Sequence, residues 1–153
     1  MLKETVRRIW RLISPDTRAW LVRKTQSSFT VSAAAVISNE KGEVLLLNHV
    51  LRPYSSWGFP GGFLDYGEQA EAAIRREVRE ETGIELKELK LHSIRNSGAH
   101  IEVLFSAIAE GEPSVCSAEI IEIRWFTADD LPDDIHSVQR QQIAEIVTKD
   151  IVA

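Results

Sequence analysis

A chain of 153 residues, 44% hydrophobic and 27% charged, is long enough for one domain with a real core and too apolar to be disordered. Its single cysteine, Cys116, excludes an internal disulfide. With polar neighbours and no His or Cys nearby, it reads as a plain small side chain and not as a nucleophile. Residues 1–24 carry seven cations against Glu4 and Asp16, a net +5, so the overall −5 leaves −10 on the remainder and argues against general binding of nucleic acid polymers.

Leu2, Val6, Ile9 or Trp10, and Ile13 recur at helical spacing, which predicts an amphipathic helix ending before Pro15 and a second short turn over residues 16–22. Charges interrupt this segment throughout, unlike a secretory leader, and no apolar run nears the ~20 residues of a membrane span. A cytoplasmic setting is therefore expected. Residues 1–25 are expected to form an arm on the domain 26–153 or on the partner subunit of a homodimer, with docking on anionic lipid or a phosphate substrate as the alternative.

Phe29 to Ser38 and Glu43 to Val50 read as strands joined by the Asn39–Gly42 turn, a hairpin. Residues 52–58 read as a loop punctuated by Pro53 and Gly58, and residues 59–64 as irregular backbone or a short strand. A helix is expected from about Glu68 to Thr82, with Gly83 as its C-terminal cap and Ala70, Ile74 and Val78 on its buried flank. Strands follow at 86–93, 101–109 and 120–126, then a short turn at 129–132 and a last helix over 138–147. The order implies an α/β fold with a mixed sheet covered on both sides.

The central helix carries the chemistry. Glu77, Glu80 and Glu81 fall at i, i+3 and i+4, within an arc of roughly 100° on one face. At about 4 Å and an effective dielectric near 20, each carboxylate pair would repel by roughly 4 kcal/mol. A hard divalent cation such as Mg2+ relieves that repulsion through oxygen ligands, so a metal site is the reading. Gly61 and Gly62 just upstream allow backbone to approach a ligand closely. His49, His92, His100 and His136 are scattered without ligand spacing and are assigned to no metal.

From Gly62 to Ile84 the residues Gly62, Glu68, Arg76, Glu77, Val78, Glu80, Glu81, Gly83 and Ile84 stand at the spacings of the Nudix box, and this segment resembles the Nudix hydrolase family. By ordinary residue frequencies a chance match at a given start is roughly 10^-9. The resemblance implies a Nudix-type α/β/α sandwich with a mixed central sheet. It also implies hydrolysis of a diphosphate bond with Mg2+, with Mn2+ as a substitute. It gives Glu77, Glu80 and Glu81 the role of metal ligands, completed by a carbonyl near Gly62. Arg76 and Glu68 hold helix and loop in register. A loop glutamate ahead of the strand at Trp125 serves related enzymes as base, which here is Glu119; Glu122 is its rival, and some family members use a helix glutamate such as Glu80.

Arg52 is a candidate phosphate ligand, and Tyr54, Trp57 and Phe59 are candidates for stacking on a base, with ordinary packing as the competing role. The extended motifs typical of NADH and coenzyme A enzymes are absent, residues 98–100 lack the proline common in ADP-ribose enzymes, and Phe63 replaces the Lys frequent in MutT-type sanitisers. These features favour a nucleotide-like small molecule, a nucleoside diphosphate linked to another moiety, ahead of nucleoside triphosphates. A non-catalytic nucleotide sensor is the alternative of another class, and an isopentenyl-diphosphate isomerase is disfavoured because no Cys lies near the box.

Overall fold

The structure, a computed structural model, describes residues 2–52 and 55–150, the last three for their backbone alone. It divides into two compact units, Met1–Thr30 and Val31–Ala153. The first holds α1 (Leu2–Leu12) and α2 (Pro15–Thr25), and no residue of either helix is buried. The short turn expected over 16–22 is in fact this 11-residue helix. Pro15 opens it: at the first helical position proline forfeits no intrahelical hydrogen bond, and its fixed φ suits the turn. Ser14 caps the end, its hydroxyl accepting from the Thr17 amide at 3.2 Å.

The second unit is built on a seven-stranded sheet comprising β1 (Thr30–Ser38), β2 (Val44–His49), β3 (Trp57–Gly58), β4 (Gly61–Phe63), β5 (Glu85–Ser97), β6 (His100–Glu110) and β7 (Ile120–Phe126). The principal order is β3-β2-β1-β6-β5, with β4 on β1 and β7 on β2. β1 and β2 pair antiparallel across the expected turn, Ser38 opposite Val44. The loop expected over 52–58 instead ends in a strand, because Trp57 and Gly58 pair with Asn48 and Leu47. β5 and β6 form one long hairpin, extending beyond the apolar stretches that marked them in sequence because Ser97 still pairs with His100.

Strand alternation sorts the core into two layers. Ala33, Ala35, Ile37, Leu45 and Leu47 point to one face and meet Ala73, Ile74 and Val78 of α3 (Ala70–Thr82). Val36, Val44 and Leu46 point to the other and meet Ile143 and Ile146 of α4 (Ser137–Asp150). Two helices therefore sandwich the sheet, the α/β arrangement expected. None of the described helices is long and apolar enough to cross a membrane.

Candidate metal and diphosphate site

α3 starts at Ala70, two residues later than its sequence suggests, because Gln69 takes the extended N-cap conformation. Glu68 is thereby freed to serve the approach loop. Its carboxylate accepts from the Asp65 amide at 3.0 Å and from Arg76 Nε and Nη2 at 3.0 and 2.9 Å. The Arg76 guanidinium holds the Glu68 carboxyl down at about 2, helped by the Asp65 amide. Arg76 also donates to the Phe63 carbonyl at 3.2 Å, to Glu77 Oε1 at 2.9 Å and to Glu80 Oε2 at 3.3 Å. One guanidinium thus joins the glycine-rich strand, the loop and the helix.

Gly62 lies over the helix. A β-carbon there would come within 2.5 Å of Glu77 Cδ, so no other residue fits without displacing that carboxylate. Next to it, the Gly61 amide donates to Glu81 Oε2 at 3.0 Å. At the far end Gly83 takes the left-handed conformation (φ 73°) and returns its amide to the Arg79 carbonyl, the cap expected of it.

A cavity of about 480 Å³ opens at this junction, bordered by Glu77, Glu81, Glu119, Gly62, Arg52 and His49. Asp65 is a fourth carboxylate on its wall, beside Glu77, Glu81 and Glu119. Glu81 is only 7% exposed, and burial followed by the charges of Glu77 and Glu119 pushes its pKa up to about 7, against the opposing pull of the Gly61 amide and Arg52. Arg52 donates to the Phe59 carbonyl at 3.2 Å, and burial lowers its pKa against the opposing charges of Glu81 and Glu102.

Glu119 reaches the cavity from the chain before β7, and its position is anchored on both sides. The Ser114 and Cys116 amides donate to the Thr82 and Glu81 carbonyls at 2.9 and 3.1 Å, and the Glu119 carbonyl accepts from Val50 at 2.9 Å. The loop therefore caps the C-terminus of α3 with its own backbone. Glu122 faces elsewhere: it sits opposite Asn48 on β7 and lies 3.8 Å from Arg124.

Other expected residues are placed differently. Glu80 is on the same helix face but is 60% exposed, bonded to Arg76, and does not border the cavity. Trp57 is no stacking platform; it is buried and packs edge-on against Phe126 with ring centroids 5.1 Å apart. Phe59 is likewise core, because the extended backbone of 57–59 turns both rings into the layer beneath α4. Tyr54 lies outside the described residues. His49, which has no ligand spacing in the sequence, borders the cavity. Burial and the neighbouring Arg52 lower its pKa to about 4, so it is neutral near pH 7.

Among the described residues no three His, Cys, Asp or Glu side chains already converge on one point. Arg76 holds Glu77 and Glu80 in ion pairs. The donor set nevertheless suits a hard cation. Four carboxylates, Asp65, Glu77, Glu81 and Glu119, line the cavity, and a nearly buried carboxyl raised towards neutrality is a group that a divalent charge would ionise.

Comparison with known proteins agrees with this geometry. The NUDIX domain family profile matches residues 28–146. A MutT-like protein of Streptomyces ambofaciens is 28% identical over 111 residues, 71% of each chain. The nucleoside diphosphate-linked moiety X motif 6 protein of Xenopus laevis is 41% identical over 68 residues, 44% of this chain and 31% of its own length. The chain thus spans less than a third of that relative, and 38% of the NAD-capped RNA hydrolase NudC of Vibrio vulnificus, to which it is 28% identical over 100 residues (63% of this chain). Among solved structures, a MutT NUDIX hydrolase from Burkholderia pseudomallei superposes with a TM-score of 0.69 at 29% identity, covering 78% of this chain and 99% of the other. A NUDIX hydrolase from Nitrosomonas europaea shares the fold at a TM-score of 0.73 and 20% identity, over 84% and 75% of the two chains.

Proposed function

This chain belongs to the Nudix family, and from that premise we propose that it is a Mg2+-dependent hydrolase, with Mn2+ able to substitute, cleaving the diphosphate bond of a nucleoside diphosphate linked to another moiety. The supporting observation is the cavity where Glu77, Glu81 and Glu119 face Arg52 beside Gly62. Glu77, Glu81 and the carbonyl of Gly62 would hold the cation, with Glu80 joining them after leaving Arg76. Bound there, it would neutralise phosphate oxygens and acidify water.

The rest of the reaction falls to side chains of this protein. Arg52 borders the cavity with its guanidinium steadied on the Phe59 carbonyl, and it binds phosphate oxygens through its remaining N–H groups. Glu119 takes the proton of the attacking water as its oxygen bonds to phosphorus and the bridging P–O bond breaks. Arg76 keeps the Glu77 end of the helix in register with the Gly61–Phe63 strand. His49, neutral and half-buried, contributes no charge of its own to the cavity wall.

Nucleoside triphosphates are the second reading, favoured by the MutT-named relative and structural neighbour. The protein is further proposed to work in the cytoplasm, as a homodimer assembled through residues 1–25. Incubation with a panel of diphosphate-linked nucleosides and nucleoside triphosphates, with and without Mg2+, tests the activity. Identified products assign the bond cleaved, while tight binding without turnover would make the protein a sensor.

A further inference from the structure

Arg52 forms a wall that two cavities share. One is the carboxylate cavity, and the other, of about 340 Å³, is bordered by Asn96, His100 and Glu102 of the β5–β6 hairpin. A long, flexible cation at such a junction can turn towards either, so its resting place must be set by something rigid. The Phe59 carbonyl supplies one fixed contact, accepting from Nη2 at 3.2 Å. Gly58 supplies the other.

Gly58 is buried in β3, opposite Leu47. Its backbone does not take the positive-φ conformation of Gly61 or Gly83, so its dihedral angles are open to any residue. Glycine within a strand costs chain entropy and packs nothing, which makes it a mark of close approach by another group. Here that group is the Arg52 guanidinium. Arg52 Nη1 occupies the place where a β-carbon on Gly58 would stand, with Arg52 Cζ 2.7 Å and Gln139 Oε1 3.2 Å from the same point.

The strand under the guanidinium is tied down. Trp57 and Gly58 pair with Asn48 and Leu47, and the His49 amide donates to the Ser56 carbonyl at 2.8 Å. From the other side, Asp134 Oδ2 accepts from the Ser56 amide at 3.1 Å and from the Ser56 hydroxyl. A methyl group added at position 58 would therefore meet a fixed backbone on one side and the end of a flexible side chain on the other. The side chain yields.

We infer that Gly58 is a positioning residue for phosphate binding: the space left by its missing side chain seats the Arg52 guanidinium beside the carboxylate cavity. The inference rests on the proposed diphosphate hydrolysis only for the role of Arg52, whereas the seat itself is a matter of packing. A guanidinium ordered before the substrate arrives spares binding the cost of ordering it then. The size of residue 58 thus governs affinity for the substrate more than the rate of the bond-breaking step.

A double-mutant cycle with Arg52→Ala tests this on the best substrate of the panel. Gly58→Ala is expected to raise KM by ~10-fold while kcat stays within ~3-fold, the pattern of lost uniform binding. In the Arg52→Ala background the same substitution should change KM by less than ~2-fold, because the slot is then empty. An unchanged KM in Gly58→Ala would overturn the inference, as would effects that multiply in the double variant. Stability is read alongside. If Gly58→Ala melts early, Arg52→Ala should restore its melting temperature, and failure to do so shows that the glycine serves something other than Arg52.

Phenylglyoxal labelling, mapped by peptide mass spectrometry, reads the seat without turnover. Arg79, its side chain 58% exposed on α3, is the internal reference. Arg52 should react several-fold more slowly than Arg79 in the wild type and several-fold faster in Gly58→Ala than in the wild type. Equal rates at Arg52 in the two proteins would refute the seat. Absence of hydrolysis with Mg2+ would instead refute the proposed activity, and the labelling would still decide whether Gly58 holds Arg52.

Discussion

Gly62 and Glu77 are in such close register that a β-carbon on the glycine would stand 2.5 Å from the Glu77 carboxyl carbon. The strand before the helix and the Glu77 carboxylate thus define a single fitted contact. Gly62→Ala is expected to push Glu77 from its place and lower kcat by ~100-fold, the scale for displacing a reactive group by about 1 Å. The core lies elsewhere, so thermal denaturation should change little; wild-type turnover in this variant would show that Glu77 is free to relocate.

Glu80→Gln is expected to lower kcat by at least ~100-fold with the fold intact, because the ligand role requires a charged oxygen. Since Glu80 is exposed, with its ion pair to Arg76 near the surface, its loss should cost little stability. The rise in melting temperature on adding Mg2+ should shrink in parallel. A variant as fast as wild type removes Glu80 from the metal site.

For the base, Glu119→Gln should cut kcat by ~10^2 to 10^4 and leave Mg2+ affinity nearly unchanged. Glu122→Gln should cost far less, as it borders no part of the cavity. Parallel kinetics of the two variants decide between them. If neither matters, the proton goes to the helix, and Glu80 is next.

The raised pKa of Glu81 makes a prediction about stability. Between the ordinary carboxyl value of 4.5 and about 7 the folded protein holds a proton that the unfolded chain releases, so without metal its stability falls as pH rises through that window. The drop is of order 3 kcal/mol for a nearly buried carboxyl. Denaturant titrations at pH 5 and pH 8 should show it in wild type and not in Glu81→Gln. Mg2+ should restore most of it at pH 8, where the carboxylate is ionised for binding.

Deleting residues 1–24 should shift the protein towards monomer or aggregate if the basic amphipathic arm docks on the acidic body of a partner subunit. The apolar residues Leu2, Val6 and Ile9 are all more than half exposed, which is the surface such docking would cover. Light scattering that returns the same mass with full solubility would leave the arm dispensable.

Much of this was legible because chain-local rules dominate it. The carboxylate spacing and Gly83 lie within one helix and its cap, where 3.6-residue periodicity fixes neighbours. The first strands showed themselves as apolar runs bounded by the Asn39–Gly42 turn. What escaped depended on partners distant in sequence. Sequence left stacking and packing both open for Trp57, and its pairing with β2 turns it towards Phe126, 69 residues away in the chain. His49 had no ligand spacing and came to the cavity only because the sheet sets it beside Arg52. Gly58 read as loop punctuation, and only the pairing of β3 and the Arg52 guanidinium show what its missing side chain makes room for.

The backbone clasp of Ser114 and Cys116 onto the last carbonyls of α3 has a consequence for how this architecture diversifies. It closes a loop of chain from Thr82 to Ser114 that holds the whole β5–β6 hairpin, so Glu119 is registered to Glu81 across the clasp and not along the hairpin. Residues added at the hairpin tip around Gly98 would leave that registration alone while reshaping the cavity beside Asn96 and His100. The clasp thus holds Glu119 against the end of α3 whatever the length of the hairpin tip.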